Sequence, residues 1–343
     1  MRGKIIAMAI IPLNFLSIYH NTTMRIEQII TRRSYDYSFF YDLVYEWEEI
    51  FQKELECKFV RDTDLRYKIG GHFPKLSGIV TPWKESFVFE MTPSNGVGHN
   101  KKNIVPLIVD FYLKKENLPA FYRMYDNHKI VLVSNLEVMD FLKKNECSLN
   151  IGHLALSISD KYEITSETHF EKEYDAALIG RQNPKLKEWL EIYAKKHEDF
   201  IYVYGVREKD MFNHYTNKGD FIGNISQRNQ FIDLMRKSRV GLYATPGMDG
   251  GEKRTNGFNQ VTPRFLEFIA CGCHILSRYM KNADTDYYEM GKITTCIDSY
   301  QQFEEEMDKA RANKVDMKLY SEYLSNHYTS IRARQLMQVI KDL

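Results

Sequence analysis

The chain has 343 residues, which is too long for one ordinary hydrophobic core and suits two α/β domains of roughly 160 to 180 residues each. It carries 47 Lys and Arg against 46 Asp and Glu, so the formal charge of +1 gives no long-range field that would attract nucleic acid or an anionic membrane. With 43% hydrophobic and 27% charged residues, the composition excludes a disordered chain.

The N-terminus places two basic residues, Arg2 and Lys4, ahead of the apolar run IIAMAIIPLNFL. A signal peptide begins in the same way, but Pro12 and Asn14 interrupt this run and no small-x-small cleavage site follows it. At about 14 residues the run is also too short to span a bilayer. We therefore interpret it as a buried strand at the start of a parallel sheet.

The cysteines are odd in number, and the chain is much longer than small disulfide-stapled proteins, so we expect reduced thiols in a cytoplasmic protein. Cys271 and Cys273 form a C-x-C pair rather than the C-x-x-C of zinc sites, and the histidines show no zinc-binding spacing. No metal site is predicted from these residues. The cysteines are Cys57, Cys147, Cys271, Cys273 and Cys296.

The first 150 residues alternate between strand-like and helical patterns, which is the βαβ arrangement of a Rossmann-like sheet. Short apolar runs bounded by turn residues predict strands, and apolar residues at helical spacing predict helices. Ser134 is the predicted N-cap of the last helix in this region. The predicted elements are a helix at Ser38–Glu56, strands at Phe87–Met91, Ile104–Phe111 and Lys129–Val133, and a helix from Ser134 to about Asn145.

The polar stretch Ser157–Glu173 has little apolar periodicity and is the predicted interdomain linker. Beyond it, strands and helices are expected to alternate throughout, so a second Rossmann-like domain is predicted. Its predicted strands are Asp175–Gly180, Phe200–Gly205, Val240–Ala244, His274–Ser277 and Ile293–Ile297. Its predicted helices are Pro184–Lys195, Asn229–Ser238 and Thr262–Cys271, followed by Ser299–Asn313, Lys318–Asn326 and Thr329–Leu343.

Ligands bind beyond the carboxyl ends of parallel strands, and the segment Gly180–Lys187 follows the first strand of the second domain. The strand ends at Gly180, and Arg181 and Lys185 lie at the start of the next helix. Two cations beside a helix N-terminus can hold a diphosphate without a metal. The same residues also suit a plain turn with solvated basic side chains, and both interpretations stay open.

The segment Thr262–Glu267 is a second candidate, because Thr262 suits an N-cap and Pro263 suits the first helical turn. Free backbone N–H groups and the fixed charge of Arg264 would then lie beside a bound anion. Glu267, one turn further, can accept two hydrogen bonds from vicinal ribose hydroxyls. An ordinary capped helix is the alternative.

The Gly-rich loop Ala244–Gly251 precedes that helix and follows a predicted strand. Loops of this kind are either mobile lids or plain solvent-exposed connections. A lid here would close over a bound sugar.

The sequences RNQFIDLMRKSRVGLYATPG and TPRFLEFIACGCHIL resemble the donor-site region of the spore-maturation-protein-like glycosyltransferases, relatives of the retaining GT-B group. Their R-x-x-E-x-x-A-x-G pattern corresponds here to Arg264, Glu267, Ala270 and Gly272. The resemblance spans about residues 174–330. It implies the GT-B fold, with two Rossmann-like domains facing a central cleft: an acceptor domain at 1–160 and a nucleotide-sugar domain at 174–328. The terminal helix, 329–343, would pack back on the first domain.

The resemblance also implies roles for individual residues. Glu267 would bind the ribose of a UDP- or GDP-linked sugar, and Arg181, Lys185 and Arg264 would bind its diphosphate. Ile225, in the turn 223–226, would border the base. Many relatives have a glutamate that contacts the sugar where this chain has Asn259, so the identity of the sugar is left open. The remaining predicted donor-site residues are Gly205, Tyr243 and Thr262.

The implied reaction is metal-independent, retaining transfer of a sugar to a glycan, lipid-linked or protein acceptor, without a separate cofactor. A retaining enzyme of this group needs no protein nucleophile. An inverting one would need a base from the first domain, for which His99 and Asp110 are the candidates.

Other interpretations compete with this one. D-x-D occurs at Asp62–Asp64 and at Asp284–Asp286, and such a motif holds a divalent metal in the other large glycosyltransferase fold. Asp284 is instead expected to cap a helix. A sugar-nucleotide-binding protein without turnover, for which Asn259 argues, and a sugar-nucleotide epimerase of the same fold are the alternative functions. Peripheral association with the inner face of a membrane stays open.

Overall fold

The computed structural model describes residues 25–31, 33, 41–61, 86–94, 103–208, 211–251 and 253–343. Contacts divide the chain into two compact units, one made of Met1–Asp160 with Thr329–Leu343 and the other of Lys161–Tyr328. The predicted first strand near Pro12 lies outside the described residues. No helix in the described ranges is both long enough and apolar enough to cross a membrane.

The first unit is built on a parallel sheet of six described strands in the order β2-β1-β3-β4-β5-β6. Three of the described helices connect these strands, and apolar runs such as IVPLI in β4 are buried, as parallel sheets require. The strands are β1 (Arg25–Thr31), β2 (Lys58–Arg61), β3 (Ser86–Ser94), β4 (Ile104–Asp110), β5 (Val131–Val133) and β6 (Ile151–His153). The helices are α1 (Asp42–Glu54), α2 (Leu118–Tyr125) and α3 (Leu136–Lys144).

The N-cap of α3 differs from the prediction. Asn135, not Ser134, is the cap, because its Oδ1 accepts a hydrogen bond from the Val138 backbone N–H at 2.9 Å. The Ser134 hydroxyl donates to the Val109 carbonyl at 2.6 Å and so ties the strand end to β4 instead. Asn and Ser are comparable caps, and the sequence alone does not say which side chain another strand will occupy.

The second unit contains a sheet of six described strands in the order β10-β9-β8-β7-β11-β12. The strands β7, β8, β11 and β12 run parallel, whereas β8, β9 and β10 form an antiparallel meander at one edge. The strands are β7 (Tyr174–Leu178), β8 (Tyr202–Glu208), β9 (Met211–Thr216), β10 (Phe221–Asn224), β11 (Ser238–Ala244) and β12 (His274–Arg278). The helices are α4 (Pro184–Lys196), α5 (Arg228–Arg236), α6 (Pro263–Ala270), α7 (Ala283–Tyr287), α8 (Tyr300–Ala312) and α9 (Met317–Leu324).

The meander corrects two predictions. Strands and helices do not alternate throughout, and β8 does not end at Gly205 but continues to Glu208 and pairs with β9. A Cβ at Gly205 would lie 3.0 Å from Nε2 of His214 on the paired strand, so this glycine serves cross-strand packing. The predicted last strand, Ile293–Ile297, is also absent as a strand among the described residues, where it contributes one isolated bridge between Ser277 and Cys296.

The final helix, α10 (Thr329–Lys341), belongs to the first unit. Its apolar residues Leu336 and Ile340 are fully buried in one cluster with Trp47 and Phe51 of α1 and with Phe89 of β3. Helix α10 also contacts β1. The chain therefore completes the core of its first unit with its last helix.

Close packing of α6 on the second sheet depends on a glycine in β11. A Cβ at Gly241 would lie only 2.3 Å from Cδ1 of Phe268, a fully buried ring on α6. Real side-chain carbons do not approach so closely, and interiors are too dense to yield easily. Gly241 therefore sets how near α6 lies to the strand.

The first prediction concerns this contact. We expect Gly241→Ala to lower the free energy of unfolding by about 2 kcal/mol, because the added methyl overpacks the interface with Phe268. Urea denaturation measures the loss. Gly291→Ala is the matched control, because nothing lies within 4 Å of its added Cβ. Equal stability of the two variants would show that α6 can move away without cost.

Candidate functional site

The carboxyl ends of several strands in the second unit meet at one edge of its sheet. Strands β7 and β11 are parallel neighbours, and β10 runs in the same direction because two antiparallel pairings separate it from β8. The segments after these strands begin at Ile179, Thr245 and Ile225. This edge is where open α/β sheets bind ligands.

The turn after β7 brings the two separately predicted basic segments together. Gly180 has φ +74°, a conformation that L side chains rarely adopt, and a Cβ there would lie 2.9 Å from Nη1 of Arg264. The same Nη1 donates a hydrogen bond to the Ile179 carbonyl at 3.4 Å. The N-terminal turn of α6 and the turn between β7 and α4 therefore form one cluster.

Arg181 and Lys185 extend this cluster toward solvent. Arg181 is exposed, and its charge acts on Tyr243, whose pKa is raised by burial and lowered in part by Arg181. Lys185 lies in the first turn of α4, where its side chain is 52% exposed and its Nζ is 3.4 Å from Glu188. Asn183 caps α4, since its Oδ1 accepts hydrogen bonds from the N–H groups of Lys185 and Leu186 at 3.0 Å. Both cations lie at a helix N-terminus that favours anions.

Glu267 is an enclosed charge at this edge, with its side chain 4% exposed. Its Oε1 lies 2.6 Å from Nη1 of Arg228, and its Oε2 accepts a hydrogen bond from Nε of Arg264 at 2.7 Å. Burial acts to raise the pKa of the Glu267 carboxyl, but the charges of Arg228 and Arg264 outweigh it, so this pKa lies below its usual range. The carboxylate is ionised and held on both oxygens.

Arg228 was not predicted from the sequence as a site residue. It is the first residue of α5 and lies within a capping box, in which the side chains of Gln227 and Gln230 exchange hydrogen bonds with each other's backbone. That Q-x-x-Q pattern marks a helix start beside the turn at Ile225, and it is the signal from which Arg228 could have been found. Nothing local indicates that a glutamate 39 positions later would be the partner.

Thr262 is the N-cap of α6, but its side chain makes no capping hydrogen bond. Its backbone N–H donates to the hydroxyl of Tyr243 at 3.0 Å, so the strand β11 fixes the start of the helix. Tyr243 is buried and acts from beneath the site rather than at its surface. Ile225 is also buried, and its N–H donates to the Phe212 carbonyl at 3.0 Å.

Asn259, at the position where the resemblance leads us to expect a glutamate, is 3% exposed. Its Oδ1 accepts a hydrogen bond from the Thr245 hydroxyl at 2.9 Å, and its Nδ2 donates to the Gly257 carbonyl at 2.9 Å. A Cβ at Gly247 would lie 2.9 Å from the same Nδ2. The amide thus joins the start of the Gly-rich loop, at Thr245, to the segment at Gly257 that follows the loop.

The Gly-rich loop itself is tied down by Asp249. The carboxylate of Asp249 receives two hydrogen bonds from Arg278, Nε to Oδ2 at 2.6 Å and Nη2 to Oδ1 at 2.8 Å. Asn183 Nδ2 donates to the same carboxylate at 3.0 Å. Bidentate pairs of this kind fix geometry. The loop is therefore latched to β12 and α4 in this structure rather than standing open as a lid.

The other predicted residues lie elsewhere. Asp110 ends β4 in the first unit and accepts a hydrogen bond from the Tyr112 hydroxyl at 3.1 Å. His99 and Asp62–Asp64 lie outside the described residues. Asp284 is not the cap of α7, because Asn282 holds that position and accepts a hydrogen bond from the Thr285 N–H at 3.0 Å. Within the described ranges, no group of three or more His, Cys, Asp or Glu could hold a metal.

The contact between Gly180 and Arg264 generates a second prediction. Gly180→Ala and Gly219→Ala both place alanine at positive φ, which costs about 1 to 2 kcal/mol, but only the Gly180 methyl meets another side chain. We expect Gly180→Ala to be the more destabilising by about 1 kcal/mol. Urea denaturation of both variants, alone and combined with Arg264→Ala, measures this difference. A difference that survives removal of Arg264 would contradict the assignment.

A third prediction concerns the hydrogen bonds between Asp249 and Arg278. Hydrogen bonds from Arg278 hold the pKa of Asp249 below its usual range against the smaller opposing effect of burial. The ionised group therefore stabilises the folded state above about pH 4, the usual pKa of an aspartate, and this contribution is lost as the pH falls through the depressed pKa.

Asp249→Asn should accordingly destabilise the protein at pH 7. Its loss of unfolding free energy relative to the wild type should become smaller as the pH falls from 5 to 3. Unfolding free energies measured across this range test the prediction. Asp233→Asn, which removes an exposed carboxylate, is the control. A loss of unfolding free energy that does not change with pH would refute this role of the ionised Asp249 carboxylate.

Part of the chain matches a known protein family. Residues 181–338 match the family model described as glycosyl transferase-like, which covers the Gly180 turn from Arg181 onward and the whole of α6. No curated protein matches the chain.

Several solved structures share the fold. The E. coli trehalose-6-phosphate structure bound with UDP-2-fluoro glucose aligns with 93% of this chain and 99% of its own, at 8% identity and a TM-score of 0.54. An α,α-trehalose-phosphate synthase (UDP-forming) from Burkholderia vietnamiensis aligns with 92% of this chain and 88% of its own, at 10% identity and a TM-score of 0.50. Sucrose-phosphate synthase from Thermosynechococcus elongatus aligns with 83% of this chain and 80% of its own, at 9% identity and a TM-score of 0.50.

Other similar structures are longer. The chain spans 57% of a chain in the GtfA/B complex and 56% of the pneumococcal O-GlcNAc transferase GtfA. Identities near 10% establish likeness of fold alone. Residues 181–338 are therefore similar to a glycosyl transferase-like domain, and the chain has the GT-B fold.

Proposed function

We propose that the protein transfers a sugar from a UDP- or GDP-linked donor, and that this donor binds at the carboxyl edge of the second sheet. The cluster formed by Arg264, Arg181 and Lys185 around the Gly180 turn carries the proposal. Arg264 contacts this turn, Arg181 lies within it, and Lys185 follows in the first turn of α4. A diphosphate is the anion that such a cluster fits best.

The cluster suggests how the donor would react. The bond between the anomeric carbon and the diphosphate oxygen breaks, an acceptor oxygen forms the new bond to that carbon, and the acceptor proton is released. Negative charge grows on the departing diphosphate, where fixed guanidinium and ammonium groups stabilise it. These groups can supply that stabilisation in place of a metal, and on this ground we propose metal-independent transfer.

We further propose a retaining outcome and membership of the spore-maturation-protein-like subgroup, on the strength of the R-x-x-E-x-x-A-x-G pattern that begins at Arg264. Should the enzyme invert, Asp110 at the end of β4 and His99 are the bases to examine. The acceptor would be a glycan, a lipid-linked or a protein acceptor. UDP-glucose is the first donor to test, since two of the similar structures are described with UDP in their names.

One observation favours a second candidate, a sugar-nucleotide-binding protein without turnover. The amide of Asn259 is hydrogen-bonded within the chain at both ends and carries no charge. A site that has lost its sugar-contacting carboxylate but kept its phosphate cluster would still bind the nucleotide. Turnover assays separate the two candidates, because only an enzyme releases nucleoside diphosphate on addition of acceptor.

The test uses matched lysines of α4. Lys185→Gln removes a proposed phosphate ligand, and Lys187→Gln removes a comparably exposed lysine that pairs with Glu191 along the same helix. We expect Lys185→Gln to weaken UDP or GDP binding about tenfold or more, because it deletes a charge-assisted hydrogen bond. Titration calorimetry measures both variants. Wild-type protein that binds neither nucleotide, or equal losses in the two variants, would refute the proposed donor site.

A further inference from the structure

A row of aromatic side chains crosses the antiparallel meander of the second unit. The register pairs Tyr204 of β8 with Tyr215 of β9, and Tyr215 with Phe221 of β10. Their ring centroids are 6.2 and 5.3 Å apart, and the ring of Tyr202 lies 6.0 Å from that of Tyr204. Residues that face each other across antiparallel strands, or lie two apart along one strand, share a face of the sheet. These four residues, which we call the aromatic row, therefore lie on one face.

The aromatic row passes from the packed core into solvent. Tyr202 and Tyr204 pack against the hydrophobic cluster that contains Trp189 of α4. Tyr215, one strand further out, is half-buried, and Phe221 on the edge strand is 60% exposed. Single exposed apolar residues are common on protein surfaces, but an exposed ring that continues a row of other rings indicates a binding surface.

Polar side chains form a second row beside the aromatic one, on the same face. Asn213 lies two residues before Tyr215 in β9 and pairs with Asn224 of β10. Its Nδ2 donates a hydrogen bond to Oε2 of Glu208 at 2.7 Å, and its Oδ1 accepts one from Nδ2 of Asn224 at 3.3 Å. Glu208 and Asn224 are exposed. A carboxylate offers about four acceptor positions and an amide both donates and accepts, so this polar row can bind further hydroxyl groups.

The two rows together match the chemistry of a carbohydrate. A sugar ring has faces of C–H groups, which pack on aromatic rings, and a rim of hydroxyls, which form hydrogen bonds with carboxylates and amides. An apolar protein surface or a lipid would leave the polar row without a use. Addition of a strand from another chain is also disfavoured, because β10 has only 4 residues and its register shifts between Phe221 and Gly223.

This face of the meander borders the candidate donor site. Tyr204 pairs with Leu178, the last residue of β7, and Gln182 in the turn after β7 donates a hydrogen bond to the Gly205 carbonyl at 3.3 Å. Glu208 ends β8 and lies further toward the same carboxyl edge. A ligand on the two rows would therefore lie beside the turn that contains Gly180.

We propose that the aromatic row and the polar row form a carbohydrate-binding surface, which holds a glycan chain of more than one sugar residue. The proposal goes beyond the proposed function, because such a surface binds a glycan whether or not a nucleotide sugar is present. In a glycosyltransferase it would hold a glycan acceptor next to the donor.

The test begins with binding of oligosaccharides to the wild type. Titration calorimetry on the full chain, without nucleotide, compares glucose with cellohexaose, chitohexaose and maltohexaose. We expect at least one hexasaccharide to bind about tenfold or more tightly than glucose, because several sugar residues contact the surface at once. If none of the three binds in the millimolar range, the proposal is overturned.

Phe221→Ala locates the binding on the aromatic row. We expect it to weaken hexasaccharide binding about five- to tenfold, because it removes an exposed ring that would pack on a sugar. Tyr41→Ala is the matched control, since Tyr41 is 40% exposed in the first unit, just before α1. Equal hexasaccharide affinities of the two variants would place the binding elsewhere and overturn the proposal.

Glu208→Gln tests the polar row without removing an apolar contact. The variant keeps an acceptor for Asn213 but loses the charge, so we expect hexasaccharide affinity to fall about fivefold. Glu322→Gln, at a 67% exposed side chain of α9, should leave it unchanged. If Glu208→Gln binds as tightly as this control, the polar row does not contact the glycan and the proposal fails.

The remaining outcomes concern a different occupant and the donor site. Light scattering should give the same mass for the wild type and Phe221→Ala. A dimer that Phe221→Ala dissociates would show that a second copy covers the aromatic row, and would overturn the proposal. Wild-type protein that binds a hexasaccharide but neither UDP nor GDP refutes the proposed donor site and supports the carbohydrate surface, so the two failures are distinguishable.

Discussion

One buried carboxylate ties together the elements that form the edge of the second sheet. Glu267 on α6 holds Arg228 on α5, and it holds Arg264, whose guanidinium reaches the Ile179 carbonyl at the end of β7. Removing one member would leave the others charged and poorly solvated, which costs more than the pair contributes when intact. These contacts fix the two helices and the strand relative to one another. The position of the basic cluster around Gly180 is fixed with them.

The opposite ends of the same helices are fixed by a lysine. Nζ of Lys172 donates hydrogen bonds to the carbonyls of Arg236, Ser238 and Cys271 at 2.9, 3.0 and 2.9 Å, just beyond the C-termini of α5 and α6. An ammonium there satisfies carbonyls that a helix end leaves open and suits the negative end of its dipole. Burial lowers the pKa of Lys172, so the arrangement is held by hydrogen bonds against a desolvation cost. The helices α5 and α6 are thus fixed at both ends by charged groups from different parts of the chain.

Local patterns predicted most elements of the second unit, because its parallel strands are short apolar runs that end in glycine or turn residues. The prediction was wrong at Gly205 in this unit, whose role depends on His214 across the sheet. It was also wrong in the first unit at Ser134, which bonds to another strand while Asn135 caps the helix. The basic turn and the α6 motif could be found from sequence separately. Their contact could not, and neither could Arg228, because a partner 39 positions away leaves no periodic signal.

The two sides of the candidate site differ in chemistry, and this difference bears on what each can recognise. On one side the guanidinium groups near Gly180 leave positive charge in excess, which suits a phosphate group of any nucleotide sugar. On the other side the neutral amide of Asn259 is committed to Thr245 and Gly257, and Asp249 is neutralised by Arg278. A sugar placed there would meet a loop of fixed shape rather than a free charge. We therefore expect the diphosphate to supply affinity and the shape of the latched loop to supply selectivity, because rigid polar contacts discriminate between hydroxyl arrangements better than a point charge does.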